Sequence, residues 1–162
     1  MATKTNLRRM KPSGKSPAPG DVFAMLMPTG NHLFGRVVLA EPPREKAPMP
    51  GAYLIYIYAW QSPTSRPDYS QLRRDRLLIP PLWTNKLAWT KGYFQTVENR
   101  PLEDAVILTQ HCFRSSTGKL VDETGRPLDR RSEPCGEWGS ASYRWIDDHV
   151  SDAVGIRRAP ED

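Results

Sequence analysis

The sequence predicts an α+β protein that is mostly an antiparallel, strongly curled β-sheet or small barrel, with a short C-terminal helix. Three observations predict this fold class. The 162 residues include 16 prolines and 11 glycines, which is typical of a chain of strands and turns. Apolar runs of strand length recur along the chain. A helical apolar periodicity is found near the C-terminus.

The first predicted element is a β-hairpin within residues 19–40. Two apolar runs, 22–27 and 33–40, flank Pro28-Thr29-Gly30-Asn31-His32, whose Pro, Gly and Asn residues favour a chain reversal. Gly35 interrupts the second run, so we expect a bulge or a tight bend there. A long, bent hairpin of this kind is a usual start for a small curled sheet.

Further strands are predicted through the middle of the chain. The segment 52–60, AYLIYIYAW, is apolar on both faces, which predicts a central strand covered on both sides. Shorter strands are predicted over 77–82, over 88–97 with a break at Gly92, and over 105–109. A tight hairpin loop is predicted at 116–119, STGK.

The end of the chain has the periodicity of a helix. Apolar residues recur on one helical face at Ile146, Val150, Ala153 and Val154. We expect Asp147 or Asp148 to cap the start of this helix and to suit the positive end of its dipole. Gly155 is expected to end it. The helix should pack across an open end or side of the sheet.

Composition and charge predict one domain with two tails. Residues 1–19 are basic and rich in Ser and Pro, so they are predicted to be a flexible tail; residues 20–156 form a single β-rich domain, and residues 157–162 a fraying tail. The chain has 23 Lys and Arg against 18 Asp and Glu. Because the first 20 residues hold five of the basic residues and no acid, residues 21–162 are formally neutral. A domain that binds nucleic acid broadly should itself carry excess positive charge, so this partner class is not favoured.

No membrane segment, metal site or cofactor is predicted. No apolar run approaches the roughly 20 residues that span a bilayer, and residues 1–20 lack the apolar stretch of a signal peptide, so we expect a cytoplasmic location. Cys112 and Cys135 form no CxxC pair, which favours two reduced thiols over a disulfide. The three histidines are scattered and only His111 adjoins a cysteine, which does not match the spacing of a zinc site.

The search for catalytic motifs indicates a protein that is not an enzyme. The patterns GxSxG, GxxxxGK[ST], GxGxxG and HExxH are all absent. Asp122 and Glu123 are adjacent, and consecutive strand residues face opposite ways. His111 and Cys112 would diverge for the same reason. The sequence therefore offers no paired acid, base or nucleophile.

Four segments, in order along residues 20–155, share their patterns with a known family. They are GDVFAMLMPTGNHLFGRVV at 20–38, IPPLWTNKLAWTKGYFQTVENRPL at 79–102, LVDETGRPLD at 120–129 and SYRWIDDHVSDAVG at 142–155. The first resembles an entry strand that leads through a turn to Phe-Gly-Arg-Val, and the second resembles a Trp-x-x-Gly-Tyr-Phe segment before Pro-Leu. The third and fourth are similar to an Asp-Glu-x-Gly turn and a closing helix. Together the segments resemble the immunity protein 26 family of bacterial polymorphic toxin systems.

The resemblance implies an antitoxin: an immunity protein that binds the cognate toxin encoded by a neighbouring gene and neutralises it by steric occlusion, without a cofactor. Such interfaces draw most of their energy from a few Trp, Tyr and Arg side chains. The polar segment 61–76, with a short helical turn expected near 68–73, is either a solvated loop or a recognition loop. Our own choice of partner-binding residues, which the family pattern does not define, is Arg66, Tyr69, Arg73, Arg74 and Trp138.

Two alternatives from other classes remain open. The Gly-Asp-Val opening followed by Gly-Arg-Val-Val is also similar to endoribonuclease toxins of the PemK type, which would make the protein a small barrel that binds or cleaves RNA. The neutral domain and the missing acid–base set disfavour this alternative. The other is a structural or adaptor module with no toxin partner.

Overall fold

A computed structural model describes residues 4–161, and the ends of the two predicted tails, residues 1–3 and 162, lie outside the described residues. The strands are β1 Asp21–Leu26, β2 His32–Ala40, β3 Tyr53–Ile57, β4 Leu82–Thr84, β5 Gln95–Asn99, β6 Cys112–Arg114, β7 Leu120–Val121, β8 Cys135–Glu137 and β9 Ser140–Ala141. The α-helices are α1 Leu87–Lys91 and α2 Tyr143–Val154, and short 3-10 helices lie at Arg44–Lys46 and Asp104–Val106. No helix within residues 4–161 has the length and apolar character needed to cross a bilayer.

The strands form two open sheets. Six strands lie in the order β5-β1-β2-β3-β4-β9, and three in the order β7-β6-β8. All pairs are antiparallel except β4–β9 and β6–β8. The prediction of a mostly antiparallel α+β fold with a C-terminal helix is therefore confirmed. The sheets are neither closed nor strongly curled, since β5 and β9 each pair with one neighbour, so the predicted barrel is not confirmed.

Strand β3 separates two hydrophobic clusters, as its sequence predicted. Its residues alternate between them: Tyr53, Ile55 and Ile57 belong to the first cluster, and Leu54, Tyr56 and Tyr58, just beyond the strand, belong to the second. Helix α2 covers the first cluster with Ile146 and Val150. Phe113 of β6 and Val121 of β7 cover the second. The three-stranded sheet therefore packs on the face of the large sheet opposite to α2.

Gly35 makes room for an aromatic ring rather than for a bulge. It pairs regularly with Phe23 on one side and with Ile57 on the other, whereas the register shift between β2 and β3 lies at Val37/Leu39. A Cβ atom at Gly35 would overlap the Phe23 ring. The expected bulge at this position is therefore wrong, and the close approach of Phe23 explains the missing side chain.

Three predicted strands have different structures. Residues 87–91 form α1, which ends at Gly92 with φ of 86°, and only then does β5 begin. The 77–82 strand is reduced to a bridge at Leu77, because Pro80 and Pro81 have no N–H for a ladder. Residues 104–106 form a 3-10 turn instead of the strand predicted at 105–109. Short apolar runs do not distinguish a strand from a helical turn.

Helix α2 begins one residue after Ser142, whose side-chain oxygen accepts the Trp145 N–H at 3.1 Å. The predicted cap at Asp147 or Asp148 is therefore wrong, while the predicted stop at Gly155 is confirmed by its φ of 79°. Asp147 is fully buried on the inner side of the helix. Its two carboxylate oxygens accept the N–H groups of Asn6 and Leu7 at 2.9 and 2.7 Å. Burial raises the pKa of Asp147, and the two backbone N–H groups oppose that rise.

The N-terminal segment lies along the large sheet. Leu7 is 3% exposed and belongs to the first cluster. The N–H groups of Arg8 and Met10 donate to the carbonyls of Leu26 and Gly92, at 2.9 and 2.8 Å. The predicted division of the chain into a 1–19 tail, a 20–156 domain and a 157–162 tail concerns mobility, and it stays a prediction. These contacts give residues 6–10 a specific place on the domain.

The first testable consequence concerns Asp147. Asp147→Ala should lower the free energy of unfolding by about 2–6 kcal/mol, because it leaves two N–H donors without a partner at about 1–3 kcal/mol each. Urea denaturation followed by Trp fluorescence measures the change. Asp152→Ala, on the same helix as Asp147, is the matched control. It removes an exposed ion pair with Arg158 and should change the free energy of unfolding by less than about 1 kcal/mol. Equal stability of the Asp147→Ala variant and the native protein would show that residues 6–7 are not held in this way.

Candidate partner-binding surface

The segment between β3 and β4, residues 61–76, is fixed against the sheet. Leu72 is 2% exposed and enters the second cluster, and Tyr69 packs at the edge of that cluster. Ser62 exchanges two backbone hydrogen bonds with His32, at 2.6 and 2.9 Å. The Gln71 N–H closes a turn on the Asp68 carbonyl at 2.9 Å, where a helical turn was predicted. The segment therefore presents its exposed side chains from a defined backbone.

Arg66 and Tyr69 face the edge strand β5. Both line a shallow depression together with Gln95 and Glu98. The Arg66 side chain is exposed, and no carboxylate within residues 4–161 lies within 4.0 Å of it. The Tyr69 ring contacts the Arg100 guanidinium, with 3.6 Å between the guanidinium carbon and the ring centre, which is a cation–π geometry.

Arg73 and Arg74 are neighbours with different surroundings. Arg73 donates from Nε and Nη2 to the Asp75 carboxylate, at 3.0 and 2.8 Å. Because both side chains are about 60% exposed, this ion pair contributes little stability. Arg74 donates from Nη1 to the Ile107 and Asp104 carbonyls, at 2.7 and 3.3 Å. Arg74 therefore holds residues 104–107 against the segment.

Trp138 lies apart from the other four predicted residues. It follows β8 and is half-buried, and its ring packs against Trp83 and Phe113 with centroid distances of 5.6 and 5.9 Å. The structure thus groups Arg66, Tyr69, Arg73 and Arg74 on one segment, which we call the Arg/Tyr surface. Trp138 belongs to the second cluster beside the three-stranded sheet.

Sequence reasoning missed a buried arginine beneath this surface. Arg36 of β2 is 4% exposed, and its Nη2 donates to the Arg100 and Pro101 carbonyls at 3.0 and 3.2 Å. Its Nε has no hydrogen-bond partner in the described part of the chain. Arg36 lines a pocket of about 430 Å³ whose walls also include Tyr69, Leu72 and Arg100. The only signal in the sequence is an arginine inside the otherwise apolar run 33–40.

A second missed group is the chain of polar contacts from the buried Tyr56 through the buried His111 to the partly exposed Glu123. The Leu108 N–H donates to the Tyr56 hydroxyl at 3.1 Å. Tyr56 Oη lies 2.6 Å from His111 Nε2, and the other ring nitrogen, Nδ1, lies 3.4 Å from Glu123 Oε2. Burial raises the pKa of Tyr56 to about 12. Residues far apart in sequence form this group, so adjacency gave no signal for it.

The Tyr56–His111–Glu123 group connects the two sheets. Tyr56 is fully buried and His111 is 4% exposed. Tyr56 belongs to β3, His111 precedes β6, and Glu123 follows β7. The contacts therefore hold the three-stranded sheet to the central strand, and the reactive atoms of Tyr56 and His111 are covered by protein.

The remaining ligand-type residues are not gathered into a metal site. Among residues 4–161, no group of three or more His, Cys, Asp or Glu side chains is placed to hold a metal ion. Cys112 and Cys135 are free thiols on paired positions of β6 and β8, and their sulfur atoms are 2.7 Å apart.

The Glu123 contact predicts a pH effect on stability. The hydrogen bond from His111 lowers the pKa of Glu123 from its ordinary value of 4.5. Its stabilising effect is therefore fully present above pH 4.5 and is lost as the pH falls through the lower folded value. Between pH 5 and 3, urea midpoints of the native protein should fall more steeply than those of Glu123→Gln. Glu137→Gln, which removes an exposed carboxylate of β8, is the control and should show the native dependence of the urea midpoint on pH. The same pH dependence in all three proteins would contradict a stabilising role for the Glu123 carboxylate.

Comparison with known proteins identifies the family. The family described as immunity protein 26 matches residues 18–119, which is more than half of the chain and includes β1–β6 and the whole 61–76 segment. No curated protein matches the chain, and no solved structure matches it. The matched range confirms the resemblance seen in the sequence. The chain belongs to the immunity protein 26 family.

Proposed function

We propose that the protein is a cytoplasmic antitoxin of a bacterial polymorphic toxin system, which binds one cognate toxin and neutralises it by steric occlusion. The observation that carries this proposal is the family match over residues 18–119. The toxin is encoded by a neighbouring gene and is either made by the same cell or delivered by another. Neutralisation requires only that the bound protein covers the active site or an assembly surface of the toxin.

The Arg/Tyr surface is the proposed contact region, and the structure supports it in two ways. Arg and Tyr are the residue types that most often dominate binding energy. The segment is also fixed before binding, because Leu72 is buried and Arg74 donates to two carbonyls. A preformed surface loses less conformational entropy on association. We assign the contact to Arg66, Tyr69 and Arg73, with Arg74 as a positioning residue.

The alternative of an RNA-binding or RNA-cleaving barrel gains no support. The large sheet is open, and residues 21–162 carry no excess charge. Of the Tyr56–His111–Glu123 group, Tyr56 and His111 lie inside the protein. Binding of RNA through phosphate contacts would show a steep loss of affinity with salt in a filter-binding series. We expect no such dependence.

The proposed function predicts rescue from a toxin. Expression of the adjacent gene product alone should arrest growth, and co-expression with this protein should restore growth. Both chains should then co-purify as a stable complex by size-exclusion chromatography. A harmless neighbouring product, or toxicity that co-expression leaves unchanged, would reject the antitoxin function.

Variants of the Arg/Tyr surface test the contact region. Tyr69→Ala should raise the dissociation constant of the complex about 10- to 100-fold, because truncating a central aromatic side chain costs about 1–3 kcal/mol. Arg66→Ala should cost less and should lower the association rate, which is sensitive to exposed charge. Arg131→Ala is the control, because Arg131 is exposed and pairs only with Glu133 of its own loop. Native affinity in both Tyr69→Ala and Arg66→Ala would place the interface elsewhere.

A further inference from the structure

We infer that the pocket beneath Tyr69 receives one carboxylate side chain of the bound toxin, with Arg36 and Arg100 as its cationic partners. We call this the Arg36 pocket; it is lined by Arg36, Tyr69, Leu72, Arg100, Pro101, Glu103 and Val106. The inference rests on the proposed function for the identity of the partner. The anion-binding property of the pocket rests on the structure alone.

The first argument is the buried charge of Arg36. A buried guanidinium normally has a carboxylate partner, because an unpaired charge in the interior is costly. Arg36 is 4% exposed, and no carboxylate of residues 4–161 forms an ion pair with it. Its Nη2 donates to two carbonyls, its Nε has no hydrogen-bond acceptor among the described residues, and a further polar neighbour is the hydroxyl of Tyr58 rather than a carboxylate. A carboxylate that entered the pocket would supply the missing counter-charge.

The second argument is the convergence of further donors on the same pocket. The Arg100 guanidinium is held over the Tyr69 ring, and its nearest carboxylate, Glu98, is 3.9 Å away, beyond hydrogen-bond distance. The Tyr69 hydroxyl is buried and has no hydrogen-bond partner within the described chain. Two arginines, and a tyrosine whose hydroxyl is unpartnered within residues 4–161, therefore line one pocket.

The third argument is the shape and composition of the pocket. Its volume is about 430 Å³, which is large enough for an Asp or Glu side chain. Leu72, Pro101 and Val106 supply apolar walls for the methylene groups of Asp or Glu. Glu103 is the one acidic residue of the lining, and it is exposed and makes no ion pair with either arginine. The lining therefore keeps an excess of positive charge.

A carboxylate suits these features better than a phosphate chain. Planar guanidinium groups match a carboxylate with paired, charge-assisted hydrogen bonds. A protein that binds successive phosphates carries its positive charge along a surface, whereas residues 21–162 are neutral overall. Two arginines, Arg36 and Arg100, line this one pocket beside the Arg/Tyr surface, so the expected ligand is an Asp or Glu side chain of the toxin.

The anion-binding property is tested on the isolated full-length protein. Two-dimensional NMR of the arginine Nε–H groups, at constant ionic strength, follows titration with glutarate and with its neutral analogue glutaramide. We expect saturable shifts of the Arg36 and Arg100 signals with glutarate only, and at least a fivefold weaker apparent affinity in Arg100→Gln. Arg131→Gln, the matched control, should keep the native affinity.

Three outcomes of this titration would overturn the inference. The first is the absence of a saturable shift at Arg36. The second is an equal response to glutaramide, which would mean that charge is not recognised. The third comes from a parallel titration with inorganic phosphate: binding tighter than that of glutarate would assign the pocket to phosphate ligands. Arg100→Gln is expected to keep the fold, because the backbone carbonyl that Arg36 contacts is unchanged. Thermal unfolding of the variant verifies this.

The partner is tested with the adjacent gene product. Arg100→Gln should raise the dissociation constant of the complex about 10- to 100-fold, and this loss should be absent when one particular Asp or Glu of the toxin has been replaced by Ala. If the native protein binds the product and Arg100→Gln binds equally well, the pocket assignment fails while the antitoxin function stands. If the native protein binds no product, the antitoxin function and the toxin carboxylate fail together, and the glutarate titration still decides whether the pocket binds anions.

Discussion

The burial of β3 on both faces is the constraint on which the rest of the structure depends. Both faces of this strand are apolar, so each face must be covered by another part of the protein. Its five residues are buried without exception. Helix α2 and Leu7 cover one face, and the 61–76 segment and the three-stranded sheet cover the other. The elements outside the six-stranded sheet that belong to these two clusters therefore cover this strand.

This constraint explains why the proposed contact region is held against the core. The 61–76 segment covers the second cluster through Leu72 and presents Arg66 and Arg73 to solvent. The same short stretch therefore provides core packing on one side and the proposed binding groups on the other. Substitutions at its inner positions would alter binding indirectly, through the backbone that carries the arginines. Because of this coupling, the role proposed for Arg74, which donates to two backbone carbonyls, differs from that of Arg66, which forms no ion pair within residues 4–161.

The sequence predicted the elements whose signals are local. The two apolar faces of 52–60, the opening hairpin and the Gly155 stop all depend on residues a few positions apart, and the structure has them. The contacts that the sequence did not predict join distant residues: Asp147 with Leu7, Tyr56 with His111, and Arg36 with the Arg100 carbonyl. Contacts between residues so far apart leave no periodic pattern in the sequence. Helix α1 was misassigned for a related reason, because its five residues are too few to show a helical repeat.

Gly35 and Arg36 show how two adjacent residues serve opposite faces of one strand. Gly35 faces the first cluster, where its missing side chain admits the Phe23 ring. Arg36 faces the second cluster, at the alternation shared with Phe34 and Val38. An apolar residue at position 36 would complete that face, and replacing buried charges by apolar groups is often neutral or stabilising. The guanidinium of Arg36 holds the Arg100 and Pro101 carbonyls, and the proposed binding of an anionic group from outside the chain would supply the counter-charge that the fold does not.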